Sequence, residues 1–244
     1  MSSDKIPYTK ISLFSKLVQD YLSQNERLAT FYNRHNNIEN FMPQIFEKEK
    51  QDIDRSLLVE VLNEQYKGIE LSEDTKNNIS SLNNKKSFSV TTGHQLNLFS
   101  GPLYCIYKIL SVINLSEKLK EKYPTYHFVP MFWMASEDHD FEEINHIYLF
   151  GKKIEWKTSQ SGAVGRMNLL EIGDVLENLL KLIGEGEKTD KIFSIIEKAY
   201  SKENSLARAS RIFLNALFKD DGLVIIDGDD VRLKKQITPL IRKD

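Results

Sequence analysis

Two runs in this 244-residue chain carry groups that could do chemistry. The first is Thr92-Gly93-His94-Gln95, followed by Ser100-Gly101-Pro102. Gly93 permits a tight turn and the close approach of a ligand. Pro102 suits the first position of a helix, where its missing N–H is no loss. A helix starting there offers free N–H groups and a positive dipole end to a phosphate or carboxylate. Lys108, in the second turn, adds a point charge if its side chain folds back toward that end. The alternative is a structural turn in which His94 and Gln95 cap backbone groups.

The second run is Glu137-Asp138-His139-Asp140. Carboxylates this close raise one another's pKa and need donors or a cation. Such a set can act as a general base, an anchor for a substrate amine, or a metal site. His146 follows His139 by two helical turns. That spacing puts the two rings about 10 Å apart, so it does not give them a shared metal. No dedicated metal site is expected, and a solvated acidic loop is the structural alternative. A third cluster, Asp227, Asp229 and Asp230, is equally good turn and N-cap chemistry. Cys105 reads as a packed thiol, because nothing nearby in sequence lowers its pKa.

These runs need elements to position them. Ser87 to Thr92 is short, β-branched and stopped by Gly93, so it predicts a strand. Leu103 to Tyr123 predicts a long helix. Phe128 to Met134 (FVPMFWM) is nearly all apolar, as in a strand buried on both faces of a parallel sheet. Strand, helix, strand is a βαβ unit. Ile144 to Trp156 predicts a hairpin turning at Gly151-Lys152, and Gly162 to Asn168 a polar loop. Helices are expected over 175–183, 190–200 and 206–218, then a buried strand Leu223 to Asp227. Both chemical runs then fall at carboxyl ends of strands, where open α/β sheets bind ligands.

Upstream, Phe14, Leu17, Val18, Tyr21 and Leu22 share one helix face. So do Leu57, Leu58, Val61, Leu62 and Tyr66. Residues 72–86 are polar and read as a weak helix and a loop. The domain boundary is placed there, giving a helical region over 1–85 and an α/β core over 86–244. The last helix, from Asp230, carries Leu233, Ile237, Leu240 and Ile241 as a core-facing stripe interrupted by Pro239.

Composition narrows the function. With 33 Lys+Arg against 35 Asp+Glu, the chain lacks the basic excess of a nucleic-acid protein. Its 41% hydrophobic content excludes disorder. One cysteine precludes an internal disulfide and fits a reducing, cytoplasmic setting. The start MSSDKIPYTK lacks the apolar core of a signal peptide. The longest apolar stretch, Ile106 to Leu115, is broken by Lys108, Ser111 and Asn114. It is too polar to span a membrane.

The runs TGHQLNLFSGPLYCIYK (92–108) and VPMFWMASEDHDFEEINH (129–146) resemble the BshC family, the cysteine ligases of bacillithiol biosynthesis. Leu13-Phe14, Asp20-Tyr21-Leu22, Phe31-Tyr32 and Gly222-Leu223-Val224 leading into Asp227 extend the resemblance along the chain. It implies a Rossmann-like core similar to nucleotidyltransferases and class I aminoacyl-tRNA synthetases. It implies amide formation between L-cysteine and glucosaminyl-malate, with no nucleic-acid or membrane partner. Such a bond needs an activated carboxyl, for which an acyl adenylate or phosphate made from ATP with Mg is chemically reasonable.

In that frame Gly93, His94 and the Gly101-Pro102 helix start cradle an anionic group. Thr92, Gln95, Tyr104, Lys108 and His146 complete the substrate or nucleotide site. Glu137, Asp138 and Asp140 orient amine or hydroxyl groups, and His139 accepts a proton from the attacking amine. Family members usually carry Gln where this chain has His94. They are also about twice as long, with more core and a coiled coil that makes a homodimer. This chain therefore looks like an N-terminal portion whose core is incomplete at the C-terminus. Two rival classes are a metal-assisted hydrolase or transferase using the 137–140 cluster, and a catalytically silent, truncated binding module.

Overall fold

The apolar run around residue 130 becomes the middle strand of a parallel sheet. A computed structural model describes residues 6–242 and divides the chain into two compact units, Met1–Asp52 and Ile53–Asp244. The first unit holds α1 (Lys16–Leu22) and α2 (Phe41–Lys48) among short 3-10 turns. Ser15 caps α1 by accepting from the Val18 N–H. Arg34 ties to α2 through an ion pair with Glu47 and a 3.2 Å bond to Gln44. The stripe expected on α1 buries none of its residues fully, and Leu17 is exposed.

The second unit begins with α3 (Arg55–Gln65) and α4 (Glu73–Ser81). β1 (Ser87–Gln95), α5 (Leu103–Lys122) and β2 (His127–Ala135) follow as the βαβ unit. The short α6 (Phe141–Ile144) leads into a hairpin of β3 (His146–Leu149) and β4 (Lys152–Glu155). Then come α7 (Gly173–Ile183), α8 (Glu187–Ala199), α9 (Leu206–Phe218), β5 (Val224–Asp227) and α10 (Val231–Ile241). The sheet order is β1-β2-β5, parallel throughout, as the strand order led us to expect. The boundary expected at 85/86 lies inside this unit, since α3 and α4 fold with the sheet.

Three local differences have physical causes. The hairpin turns at Phe150-Gly151, one residue early, because both adopt positive φ (50° and 76°), as a two-residue type I′ turn requires. α4 is a full helix although it lacks an apolar stripe. Ser72 caps it, Thr75 donates to the Lys219 carbonyl at 3.1 Å, and Asn78 donates to the Gly222 carbonyl at 2.7 Å. Polar side chains join buried Ile79 and Leu82 in docking it, so the expected weak helix is firmer than its hydrophobic periodicity indicated. α10 continues through Pro239 to Ile241, with Leu233 against the core and Ile237 and Ile241 exposed. The Leu240 side chain and the Lys243-Asp244 end lie outside the described residues. Among those residues no helix is long and apolar enough to cross a membrane.

β2 buries Phe128, Val129, Met131, Phe132 and Met134, and β5 buries Val224, Ile225 and Ile226. α5 covers the sheet with Cys105, Ile109, Val112, Ile113 and Leu119. The outer edge of β5 is closed by side chains at the end of α3. The Tyr66 hydroxyl accepts from the Ile225 N–H at 2.7 Å. The Gln65 amide accepts from the Asp227 N–H at 2.9 Å and donates to its carbonyl at 3.0 Å. Edge groups buried without partners would cost several kcal/mol together. Tyr66→Phe strands the Ile225 N–H and should lower stability by about 1–3 kcal/mol. Denaturant unfolding of the full-length variant checks this. A change within about 0.3 kcal/mol would mean another group satisfies that N–H.

Candidate functional site

Parallel register sets which ends meet. Gly93 pairs with Trp133, Gln95 with Ala135, and Met134 with Asp227. The segments leaving β1, β2 and β5 therefore emerge on one edge of the sheet.

The path from β1 into α5 is strained. Phe99, Ser100 and Gly101 take positive φ in succession (52°, 72° and 63°). For the two non-glycine residues this costs of order 1–2 kcal/mol each. Buried Tyr200 holds the path, its hydroxyl accepting from the Phe99 N–H at 2.8 Å and its ring meeting Phe99 edge-on at 4.7 Å. At Gly101 a Cβ would lie 2.3 Å from the Asn97 Cβ, so only glycine fits. Pro102 is the N-cap of α5 rather than its first residue, and no side chain caps that end. Lys108 folds back as anticipated, but its ammonium bonds the Gly93 carbonyl and lies 5.6 Å from the Tyr104 ring centroid.

A cavity of about 680 Å³ opens between this helix start and the hairpin. Of the expected site residues, His94, Gln95, Gly101, Pro102, Tyr104 and His146 line it. Asn97, Glu143 and Tyr148 also line it and were not anticipated. The His94 and Tyr104 rings pack 4.9 Å apart, and His94 Nε2 is buried without a partner. Burial, with the nearby Lys108 charge, holds His94 below its ordinary value and hence neutral at pH 7. Thr92, Gly93 and Lys108 do not line the cavity.

The acidic run is divided by the fold. Asp138 joins the β1 end, its Oδ2 accepting from Gln95 Nε2 at 2.8 Å. Its Oδ1 accepts from the His139 and Asp140 N–H groups at 2.7 and 3.1 Å. The Gln95 bond, then those backbone bonds, hold Asp138 below the usual carboxylate range. Gln95 Nε2 also donates to Glu143 Oε2 at 2.8 Å, so one amide bridges two carboxylates. Asp140 is spent locally, capping α6 by accepting from the Glu143 N–H at 3.2 Å. His139 is exposed, and none of Glu137, Asp138, His139 and Asp140 lines the cavity.

The β5 end is different. Asp227 accepts from the Ser136 hydroxyl and from the Asp229 N–H at 3.0 Å. Asp229 pairs with Arg166 at 2.6 Å and with Lys234. Burial pushes its carboxyl up, but these two cations bring it below the ordinary value. Asp230 pairs with Arg232 at 2.8 Å. Asp229 and Asp230 are thus paired with cations, whereas the Asp227 side chain is held by neutral donors.

Glu143 was hidden from sequence reading in an acid-rich helix start, and Tyr148 in an ordinary hairpin strand. The alternation of β3 toward the cavity was the available signal. Among the described residues no three His, Cys, Asp or Glu side chains converge as a metal site would require.

A three-stranded parallel sheet flanked by helices, with a cavity at its carboxyl edge, is a Rossmann-like arrangement. The family model described as the N-terminal Rossmann-like domain of the bacillithiol biosynthesis protein BshC matches residues 1–244. The chain belongs to that family. A protein of Flavobacterium johnsoniae named "Putative cysteine ligase BshC" is 46% identical over 246 residues. Proteins of the same name from Flavobacterium psychrophilum and Christiangramia forsetii are 46% and 45% identical. These alignments cover 100%, 100% and 98% of this chain, but 46% of each relative. The chain thus spans about half the length of the curated relatives it matches.

Two outcomes follow from the site's electrostatics. An NMR titration of His94 should give a midpoint below 6.5. Because the folded state prefers the neutral ring, this histidine's contribution to stability is complete above pH 6.5 and is lost as pH falls through its lowered value. His127, lowered by burial and by Lys120, adds a term of the same sign. A His94 midpoint at or above 6.5 contradicts the buried, neutral ring. Burial also pushes the Cys105 thiol up to about 11. Iodoacetamide at pH 8 should leave Cys105 unmodified in the native protein and label it quickly once unfolded. Fast native labelling would contradict a packed thiol.

Proposed function

We propose that this chain provides the sheet-edge site of a cysteine ligase of bacillithiol biosynthesis. The reaction joins the carboxyl of L-cysteine to the amine of glucosaminyl-malate. The observation that carries the reading is the cavity bordered by the uncapped start of α5 and by Gln95 and Glu143, with Gln95 also bonded to Asp138 outside the lining. One wall suits an anion and the other an amine, and an amide-forming ligase must hold both kinds of group. The names of the relatives and the family description agree with that chemistry.

A free carboxylate does not acylate an amine, so ATP first converts it to an acyl adenylate or acyl phosphate. The amine nitrogen then attacks the carbonyl carbon and forms the C–N bond. The bond between that carbon and the bridging oxygen breaks, and its electron pair leaves on this oxygen with the phosphate or AMP. The ammonium proton passes to a base. In this reading Gly93, His94, Gly101, Pro102 and Tyr104 border the anionic group, with Lys108 adding positive charge behind them. Asp138 orients an amine, with Glu137 and Asp140 beside it. His139, exposed one residue further on, takes the proton and releases it to water. A cytoplasmic location fits the reduced thiol substrate, and a homodimer fits the family.

The test is mass spectrometry of the full-length protein with cysteine, glucosaminyl-malate and ATP. The expected products are the amide and either AMP or ADP. Asp138→Asn and His139→Ala should each lower the rate at least tenfold, since a positioned acid–base group typically contributes ~100-fold or more. Wild-type rates in both folded variants would remove the acidic run from the mechanism. Absence of the amide with the wild-type protein would refute the ligase reading.

A further inference from the structure

We infer, resting on the ligase reading above, that Asp227 is a positioning residue. Through the Ser136 hydroxyl it sets the path of the chain leaving β2, and so the place of Asp138 against Gln95. Asp227 does not line the cavity, so it acts there through other residues. Its Oδ1 accepts two bonds, one from the Asp229 N–H at 3.0 Å and one from the Ser136 hydroxyl. The first is local turn chemistry. The second joins residues 91 apart in the chain and ties the end of β5 to the end of β2.

Ser136 is the first residue after β2 and is 1% exposed. A second element grips it from the backbone. The Gly165 N–H donates to the Ser136 carbonyl at 2.9 Å, and the Val164 N–H donates to the Asp138 carbonyl at 2.8 Å. A Cβ on Gly165 would lie 2.5 Å from the Ser136 Cβ, so the two segments touch. The 136–138 stretch is thus pinned by Asp227 on its side chain and by 164–165 on its backbone. At its far end Asp138 Oδ2 accepts from Gln95 Nε2, and Gln95 lines the cavity.

Asp227 is well placed to hold Ser136 because it is itself held. Gln65 brackets its backbone, accepting from its N–H at 2.9 Å and donating to its carbonyl at 3.0 Å. Buried Arg211 fixes Gln65 in turn, donating to its backbone carbonyl and to its side-chain oxygen. Both bonds to the Asp227 side chain end on one oxygen. An asparagine amide oxygen can accept the same two bonds. The arrangement therefore asks for an acceptor at that point and not for a charge. Without the acceptor the buried Ser136 hydroxyl loses its partner and the segment loses one of its two anchors.

The experiment uses the full-length protein with Asp227→Asn, Asp227→Ala, Ser136→Ala and the double variant S136A/D227A. Melting curves establish that each is folded. The rate of amide formation and hydrogen exchange at 136–140 and 164–165 are then measured. D227N should keep kcat within about twofold, while D227A and S136A each lower it about tenfold. The double variant should fall no further than D227A, because both changes remove one bond. Exchange in the two segments should quicken in D227A and S136A, stay as in the wild type in D227N, and leave β2 and β5 unchanged. If D227N falls as far as D227A, Asp227 acts by charge and the positioning role is overturned. Losses that multiply in the double variant, or wild-type exchange in D227A, overturn it as well. Should D227A not fold, S136A, which removes only a hydroxyl, decides by the same two readouts. If the wild type makes no amide, the ligase reading falls, and the exchange pattern alone decides whether Asp227 holds the segment.

Discussion

The parallel register of β1 against β2 is the constraint on which the site depends. Gln95 at the end of β1 stands opposite Ala135 at the end of β2. The chain leaving β2 therefore delivers Asp138 to the Gln95 amide. A slip of one residue would turn every side chain of β1 to the other face. Burial of Phe128, Val129, Phe132 and Met134 makes such a slip expensive. Hydrophobic packing in the middle of the sheet thereby sets hydrogen-bond geometry at its edge.

A second network keeps the far side of the sheet in place. Arg211 is buried, and burial lowers its pKa. Its guanidinium donates to the Gln65 backbone carbonyl at 3.2 Å and to the Gln65 side-chain oxygen at 2.8 Å. That same oxygen accepts from the Asp227 N–H, and the Tyr66 ring lies 5.6 Å from the guanidinium carbon. A buried charge facing amides and an aromatic ring needs every one of those partners. The orientation of Gln65, and so the closed edge of β5, is coupled to α9.

The strained run reaches the cavity at Gly101 and the carboxylate pair reaches it at Glu143. The left-handed run Phe99–Gly101 is held by Tyr200, and Asp138 and Glu143 share one neutral donor. Folding alone would favour a relaxed turn and a paired cation. Both features are what a ligand site requires, namely a rigid opening and groups left for a partner to satisfy.

Much of this was legible along the chain. Whereas β1 runs past Gly93 to Gln95 because its pairing with β2 continues through Ala135, continuous apolar runs marked β2 and β5, and the helix over 206–218 came out at those bounds. Local chemistry sufficed for these because periodicity and turn residues act over a few neighbours. The pairing of Gln95 with Asp138 was expected only as a shared edge, and Glu143 was not singled out. α4 was faint because Thr75 and Asn78 dock through hydrogen bonds to backbone 144 residues away. The sequence by itself determined the elements, their order and the strand ends that carry polar groups. Tertiary structure alone decided which carboxylates were neutralised. Arg166 and Asp229 lie 63 residues apart and meet, while Asp138 and Glu143 share the Gln95 amide and, among the described residues, are ion-paired with no lysine or arginine. Electrostatic balance is a property of neighbours in space, and only the folded sheet chooses those neighbours.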